Sequence, residues 1–241
     1  MFVTKYANDK ILTGEKMNYN LLATLGFVVF LALNYLLFKF RYTLISLRII
    51  SIFLLVYKIC FYVYYNITTD VAWFPFEIST LSYFIIAIVL IFNLEKVYNI
   101  ASFLGIITGL GYFVYYIVAG GSLAEVFTIK EIIIGILCHG FLLTAGLQLM
   151  KLYKFDRQKL YTIWIAVLGI ICYALEFYDM KPVGVAFIYY VIKPTYLYLF
   201  DRMIYNVLLV ALFYVVLLTA VNYLIKLFYF VNAKIHKNDA K

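Results

Sequence analysis

Apolar positions along the chain gather into seven long stretches, at 21–38, 49–65, 77–93, 100–118, 132–150, 161–177 and 204–230, with short polar segments between them. A helix crosses a hydrocarbon core of about 30 Å with about 20 residues, so these stretches have the lengths of membrane spans. None shows the ten-residue alternation of a membrane β-strand, and a spanning backbone must satisfy its own hydrogen bonds. The pattern predicts an all-α protein, a polytopic membrane bundle of about seven transmembrane helices. A polar tail at 1–20 precedes a single bundle at 21–230, and a basic tail at 231–241 follows it. No repeat of fixed period or low-complexity linker divides the bundle, and Gly120-Gly121 and Pro182 mark turns between spans.

Composition explains why lipid is the solvent. Of 241 residues, 66% are hydrophobic and only 13% charged, and the mean hydropathy is +0.98. A soluble domain carries about 25% charged residues. The apolar surplus exceeds what a globule of this size can bury, so much of it must face hydrocarbon. The first twenty residues are polar and no cleavage site follows the first apolar run, so that run is expected to act as its own targeting signal. Met17 stands directly before it and is a second possible start, so no function is assigned to 1–16. Cys60, Cys138 and Cys172 all fall inside spans, where they behave as small apolar residues. Neither a disulfide framework nor a zinc spacing is present, and no metal or cofactor is implied.

The net charge of +8 could suggest nucleic acid, but the basic residues sit in short loops beside spans, which is the positive-inside pattern. With seven spans, the segments 39–48, 94–99, 151–160 and the end from Lys226 share one side and hold twelve Lys and Arg. The opposite segments, the N-terminal tail, 66–76, 119–131 and 178–203, hold seven. The richer side is expected to be cytoplasmic, which places the N-terminus outside and the C-terminus inside the cell membrane.

Ionisable groups inside spans cost about 2.5–3.5 kcal/mol each near the bilayer centre, so they are functional candidates by default. Those here are Lys58, Glu77, His139 and Glu176, with Ser79 and Asn206 as polar neighbours and Asp201-Arg202 just before the last span. Lys58 and His139 each lie about seven residues, roughly 10 Å, from the outer end of their spans. Glu77 and Ser79 open the third span on the outer side and Glu176 closes the sixth there. All therefore belong to the outer half, where Lys58 and a carboxylate could offset each other's desolvation. The inner half holds almost nothing comparable. Plainer readings stand beside this one: Lys58 can snorkel to the interface, Glu77 and Ser79 can cap the third helix after Pro75, His139 can be a hydrogen-bonded packing residue, and Glu176 can be interfacial and hydrated. The 25 tyrosines are explained by interfacial belts and receive no site.

The stretch Phe74-Pro75-Phe76-Glu77-Ile78-Ser79 resembles the Leu-Pro-Leu-His-Leu-Cys signature of the YwaF-like integral membrane proteins, a family related to eukaryotic multi-pass acyltransferases. Phe103-Leu104-Gly105 with Gly109 is similar to that family's Phe-x-Gly-x-x-x-Gly in span four, and His139-Gly140 to its His-Gly in span five. Tyr189-Tyr190 and Lys193-Pro194 resemble its aromatic and Lys-Pro segment before the last helix. The resemblance covers residues 74 to 230 in order. It implies a seven-span bundle in which the signature cysteine forms an acyl intermediate and the span-five His is its base. Carried over, the nucleophile is Ser79 and the base His139, while the family's His is Glu77 and its Cys is Ser79. A serine in that role needs a base within hydrogen-bond reach. Upright helices would leave Ser79 and His139 about 7 Å apart along the membrane normal, a gap that helix tilt or shifted ends would close.

Two functions follow as expectations. In one, a membrane enzyme of acyl-transfer type works on lipid esters in the outer half, with Ser79 and His139 as its reacting pair, Glu77 beside them, and Lys58 or Arg202 holding a phosphate or oxyanion. In the other, the same pocket, lined by Lys58, Glu176, Arg202 and Asn206, binds a small polar or anionic ligand without catalysis, as a binder or transporter subunit. A third possibility is a structural partner of another membrane protein. The expected partners are membrane lipids and a small-molecule or lipid substrate, not nucleic acid.

Overall fold

The structure, a computed structural model, describes residues 19–41, 43–68, 78–123, 129–176 and 203–238. Among them are seven α-helices: α1 Tyr19–Lys39, α2 Thr43–Thr68, α3 Ile78–Ile91, α4 Tyr98–Leu123, α5 Ile129–Leu152, α6 Leu160–Glu176 and α7 Met203–Asn238. Each overlaps one predicted stretch, and the described residues contain no strand. The protein is all-α. Five helices (α1, α2, α4, α5 and α7) are long and apolar enough to cross a membrane. The other two are apolar but shorter, α3 with 14 residues and α6 with 17.

Sequence explains where the helices stop. α3 ends because Asn93 takes the left-handed conformation (φ 52°), and the Leu94 N–H donates to Val89 O at 2.9 Å. This six-to-one bond is the Schellman signature, and Asn tolerates that conformation better than most residues. α1 stops at a turn in which Arg41 has φ 60°. α2 starts at Thr43, six residues before the apolar stretch that announced it, because Thr43, Ser46 and Arg48 extend the helix without adding hydropathy. α7 runs to Asn238, past the expected end at 230.

The outer surface is inverted relative to a soluble helix bundle. On α2, Ile45, Ile49, Ile52, Val56, Ile59 and Val63 are all exposed and recur every three or four residues, an apolar stripe pointing away from the core. α1 exposes Leu21, Leu25, Val28 and Val29 in the same way. Such surface is stable only in hydrocarbon, and with five spanning-length helices it makes the chain an integral membrane protein.

α5 is the axis of the bundle. It supplies Ile132, Ile136 and Leu143 to the core shared with α1 and α4, Cys138, Leu142, Ala145 and Leu149 to the core shared with α2 and α3, and Met150 to the core shared with α6 and α7. Its tightest neighbour is the antiparallel α4. A β-carbon at Gly109 would stand 2.7 Å from His139 O, and one at Gly146 2.8 Å from Ser102 O, so both positions need a bare backbone. Ser102 Oγ donates to Gly146 O at 2.8 Å across the same seam. Small residues at a close crossing, with a hydroxyl bridging the backbones, are how membrane helices associate where burial from water gives no drive.

Consecutive helices alternate in direction. Asn34 meets Thr144 and Phe30 lies against Phe141, so α1 runs parallel to α5. Ser46 meets Gln148 and Phe53 meets Phe141, so α2 runs antiparallel to it. Tyr98 and Tyr153 rings lie 4.7 Å apart, and Asn99 Nδ2 donates to Thr162 Oγ1 and Tyr229 Oη, both at 2.8 Å. Asn232 Nδ2 donates to Met150 O at 2.8 Å and Tyr153 O at 2.9 Å while its Oδ1 accepts from Phe155 N at 2.8 Å. These contacts collect the start of α2, the start of α4, the α5–α6 turn and the end of α7 at one end of the bundle. They are the basic segments of the chain. The docking of Asn232 also explains why α7 stays helical beyond 230.

Candidate functional site

His139 lies on α5, half-buried, on the half of the bundle away from the basic end. Its Nδ1 is 2.8 Å from Gly135 O, one turn earlier. A carbonyl only accepts, so Nδ1 carries the proton and Nε2 keeps the lone pair. Tyr83 on α3 brings its hydroxyl within 3.2 Å of Nδ1 and 3.4 Å of Nε2. With the Nδ1 proton committed to Gly135, the phenol donates to Nε2. Tyr112 of α4 stacks on the imidazole, 3.9 Å between centroids and 11° between planes, and Tyr116 packs against the Tyr112 ring at 4.4 Å, tilted by 31°.

Glycine makes this stack possible. A β-carbon at Gly135 would overlap the Tyr112 ring, and the contact of Gly109 with the His139 backbone draws α4 close enough for Tyr112 to reach the imidazole. The Tyr112 hydroxyl donates to Ile132 O at 3.3 Å, which fixes the ring from its far edge. Lys58 of α2 completes the cluster. Its ammonium sits 4.4 Å from the Tyr83 ring centroid and 5.2 Å from that of Phe61, within the range of cation–π attraction. Tyr83 is 1% exposed, so the cation and the imidazole approach a ring that is otherwise enclosed.

Ser79 lies on α3 one turn before Tyr83 and is half-buried. Residues four apart share a helix face, so the serine belongs to the face whose Tyr83 touches His139. Lys58, Ser79 and His139 are thus three expected site residues that the fold brings to one region. Glu77 and Arg202 lie outside the described residues. Glu176 is the last residue of α6 and Asn206 belongs to the first turn of α7. Tyr83 and Tyr112 were not singled out by the sequence. A buried Tyr needs a partner for its hydroxyl, but among 25 tyrosines nothing in the pattern distinguishes these two, beyond the four-residue step from Ser79 to Tyr83.

Comparison with protein-family models, curated proteins and solved structures finds no match.

The opposite half has its own polarity among the described residues. Asn34, Thr144, Ser51, Gln148, Asn99 and Asn232 are all buried there. They carry no charge, so nothing in the hydropathy pattern marks them. Chemically the two halves differ. The His139 half offers a proton acceptor with a defined tautomer, a phenol and a cation, which can accept a proton and hold negative charge. The other half holds its helices together through buried amides and hydroxyls, with His236 of α7 against Met150 O at 3.2 Å at its edge.

Proposed function

We propose that the protein spans the bilayer with all seven helices, N-terminus outside, and is an acyl-transfer enzyme of the YwaF-like type acting on lipid esters in the outer half of the membrane. The observation that carries the chemistry is the orientation of His139. Its Nδ1–H is tied to a backbone carbonyl and Nε2 is left as a hydrogen-bond acceptor, the arrangement a general base requires. Ser79 Oγ attacks the ester carbonyl. Its proton passes to Nε2, directly or through the Tyr83 hydroxyl, and returns to the departing alkoxide as the acyl-serine forms. His139 then takes the proton of an acceptor hydroxyl as it attacks the acyl-serine, and returns that proton to the departing Ser79 Oγ. Lys58 supplies positive charge near the developing oxyanion or the lipid phosphate. The grouping of the basic segments at one end supports the orientation by the positive-inside rule.

A lipid fluorophosphonate probe tests the reaction. In nanodiscs the protein is expected to be labelled at Ser79, located by peptide mass spectrometry, with labelling abolished in Ser79→Ala and strongly reduced in His139→Ala. Unchanged labelling in Ser79→Ala would remove the reading. The closed shell of Tyr83, Tyr112 and Gly135 around His139 favours one alternative, a binder in which Lys58 and Tyr83 hold an anionic ligand. Thermal stabilisation by a small anion, lost in Lys58→Met, with no covalent label, would select it. For orientation, Gln158→Cys in a background lacking Cys60, Cys138 and Cys172 should react with an impermeant maleimide only from the cytoplasmic side.

A further inference from the structure

The second polar cluster, between α1, α2 and α5, contains side-chain groups that the fold buries and leaves unmatched. Asn34 is 3% exposed, and Thr144 and Gln148 are 0% exposed. Asn34 Nδ2 uses both protons, donating to Phe30 O at 2.8 Å and to Thr144 Oγ1 at 3.0 Å. Its Oδ1 finds no partner among the described residues. Turning this amide would set Oδ1 against the Phe30 carbonyl, acceptor facing acceptor, so the orientation is fixed.

Gln148 is different, because both of its amide orientations can be built, and they agree on what is left over. As placed, Oε1 accepts from the Ser46 hydroxyl and Nε2 has no partner among the described residues. The same hydroxyl is also 2.8 Å from Thr43 O, and it has one proton to give. If that proton goes to Thr43, the Gln148 amide turns, and one N–H reaches Ser46 Oγ. In that arrangement the second N–H is still unmatched. Under either assignment Gln148 keeps at least one unpaired buried donor and Asn34 one unpaired buried acceptor. Thr144 joins them: it is bonded to Asn34 and lies one turn before Gln148 on the same face of α5.

We propose that Asn34 Oδ1 and Gln148 Nε2 bind one water molecule, an internal hydration site that ties α1 and α2 to α5. The chemistry selects a neutral guest that both donates and accepts. With the amide as placed, a cation would confront the N–H protons of Gln148 Nε2. An anion would confront Asn34 Oδ1, whose amide protons are committed elsewhere. Buried waters characteristically bridge groups of this kind.

A structure of the full chain in nanodiscs, at a resolution that shows ordered solvent, is the direct test. Density about 3 Å from both Asn34 Oδ1 and Gln148 Nε2 is expected. A direct bond between the two amides, or closure of each by other protein groups, would overturn the site. Density larger than water would also overturn it, in favour of a small alcohol. A thermal-unfolding cycle gives an independent check. For a shared water, the double variant Asn34→Leu/Gln148→Leu should melt measurably higher than the sum of the two single losses predicts, because each single variant already loses the bridge. Additive losses would show that the two groups share nothing. Gln148→Met replaces Gln148→Leu should the latter fail to fold.

Discussion

The two halves of α5 solve the problem of polarity in a membrane in opposite ways. Around His139 the helix meets ionisable and aromatic side chains: Tyr112 stacked on one face, Tyr83 at the edge, and Lys58 above Tyr83. From Thr144 to Gln148 it meets only neutral amides and hydroxyls from α1 and α2. A neutral hydrogen bond between membrane helices contributes about 1 kcal/mol and asks little in desolvation, which suits permanent contacts. An ionisable group costs more and is worth keeping where protons or charges move. The difference teaches that burial alone does not mark a site in this protein. Gln148 is more deeply buried than His139, yet only His139 has chemistry to offer.

Variants can break or sharpen that contrast. The largest effect is expected from His139→Ala, which should lower fluorophosphonate labelling by about 100-fold or more while the protein stays folded by thermal melt. A collapse in melting temperature with proportional loss of labelling would make His139 a packing residue instead. Next comes Gly109→Ala, which lies between the halves. Its new β-carbon meets the α5 backbone rather than a movable side chain, so a loss of about 1–3 kcal/mol in stability is expected, together with weaker labelling as Tyr112 is pushed off His139. Full labelling at full stability would mean that the α4–α5 crossing does not position the site. Asn34→Leu should cost about 1–2 kcal/mol through its two lost bonds and leave labelling unchanged. Lost labelling there would erase the division of labour. Smallest is Lys58→Met, expected to change stability by under about 1 kcal/mol but to raise the probe concentration needed for half-labelling of Ser79. An equal effect with neutral and anionic probes would count against a charge role for Lys58.

Much of the fold could be read from hydropathy. The stretch at 132–150 became Ile129–Leu152 and that at 21–38 became Tyr19–Lys39, because a spanning helix is apolar on nearly every side and leaves a run rather than a period. Ends were less legible: Thr43–Arg48 and the residues after 230 mix polar with apolar positions, and contacts such as those of Ser46 and Asn232 hold them to the bundle. In the site, Lys58, Ser79 and His139 stood out because each is costly or reactive in an apolar run. Tyr83 and Tyr112 did not, since stacking and the Gly135 contact exist only once α3, α4 and α5 are assembled. Asn34 and Gln148 were hidden for a related reason. A single uncharged amide in an apolar run reads the same whether it faces lipid or a partner helix.

The glycine seam between α4 and α5 has a consequence in time. These helices are neighbours in the chain, and Gly105, Gly109 and Gly146 let them close on each other through contacts only a few dozen residues apart. Contacts so local form with little loop-closure cost. The pair is suited to lock as a hairpin while the ribosome is still making α6 and α7, so the His139–Tyr112 stack would be among the first tertiary features present. A nascent chain could then carry its proton acceptor, oriented and shielded, before its last helix exists.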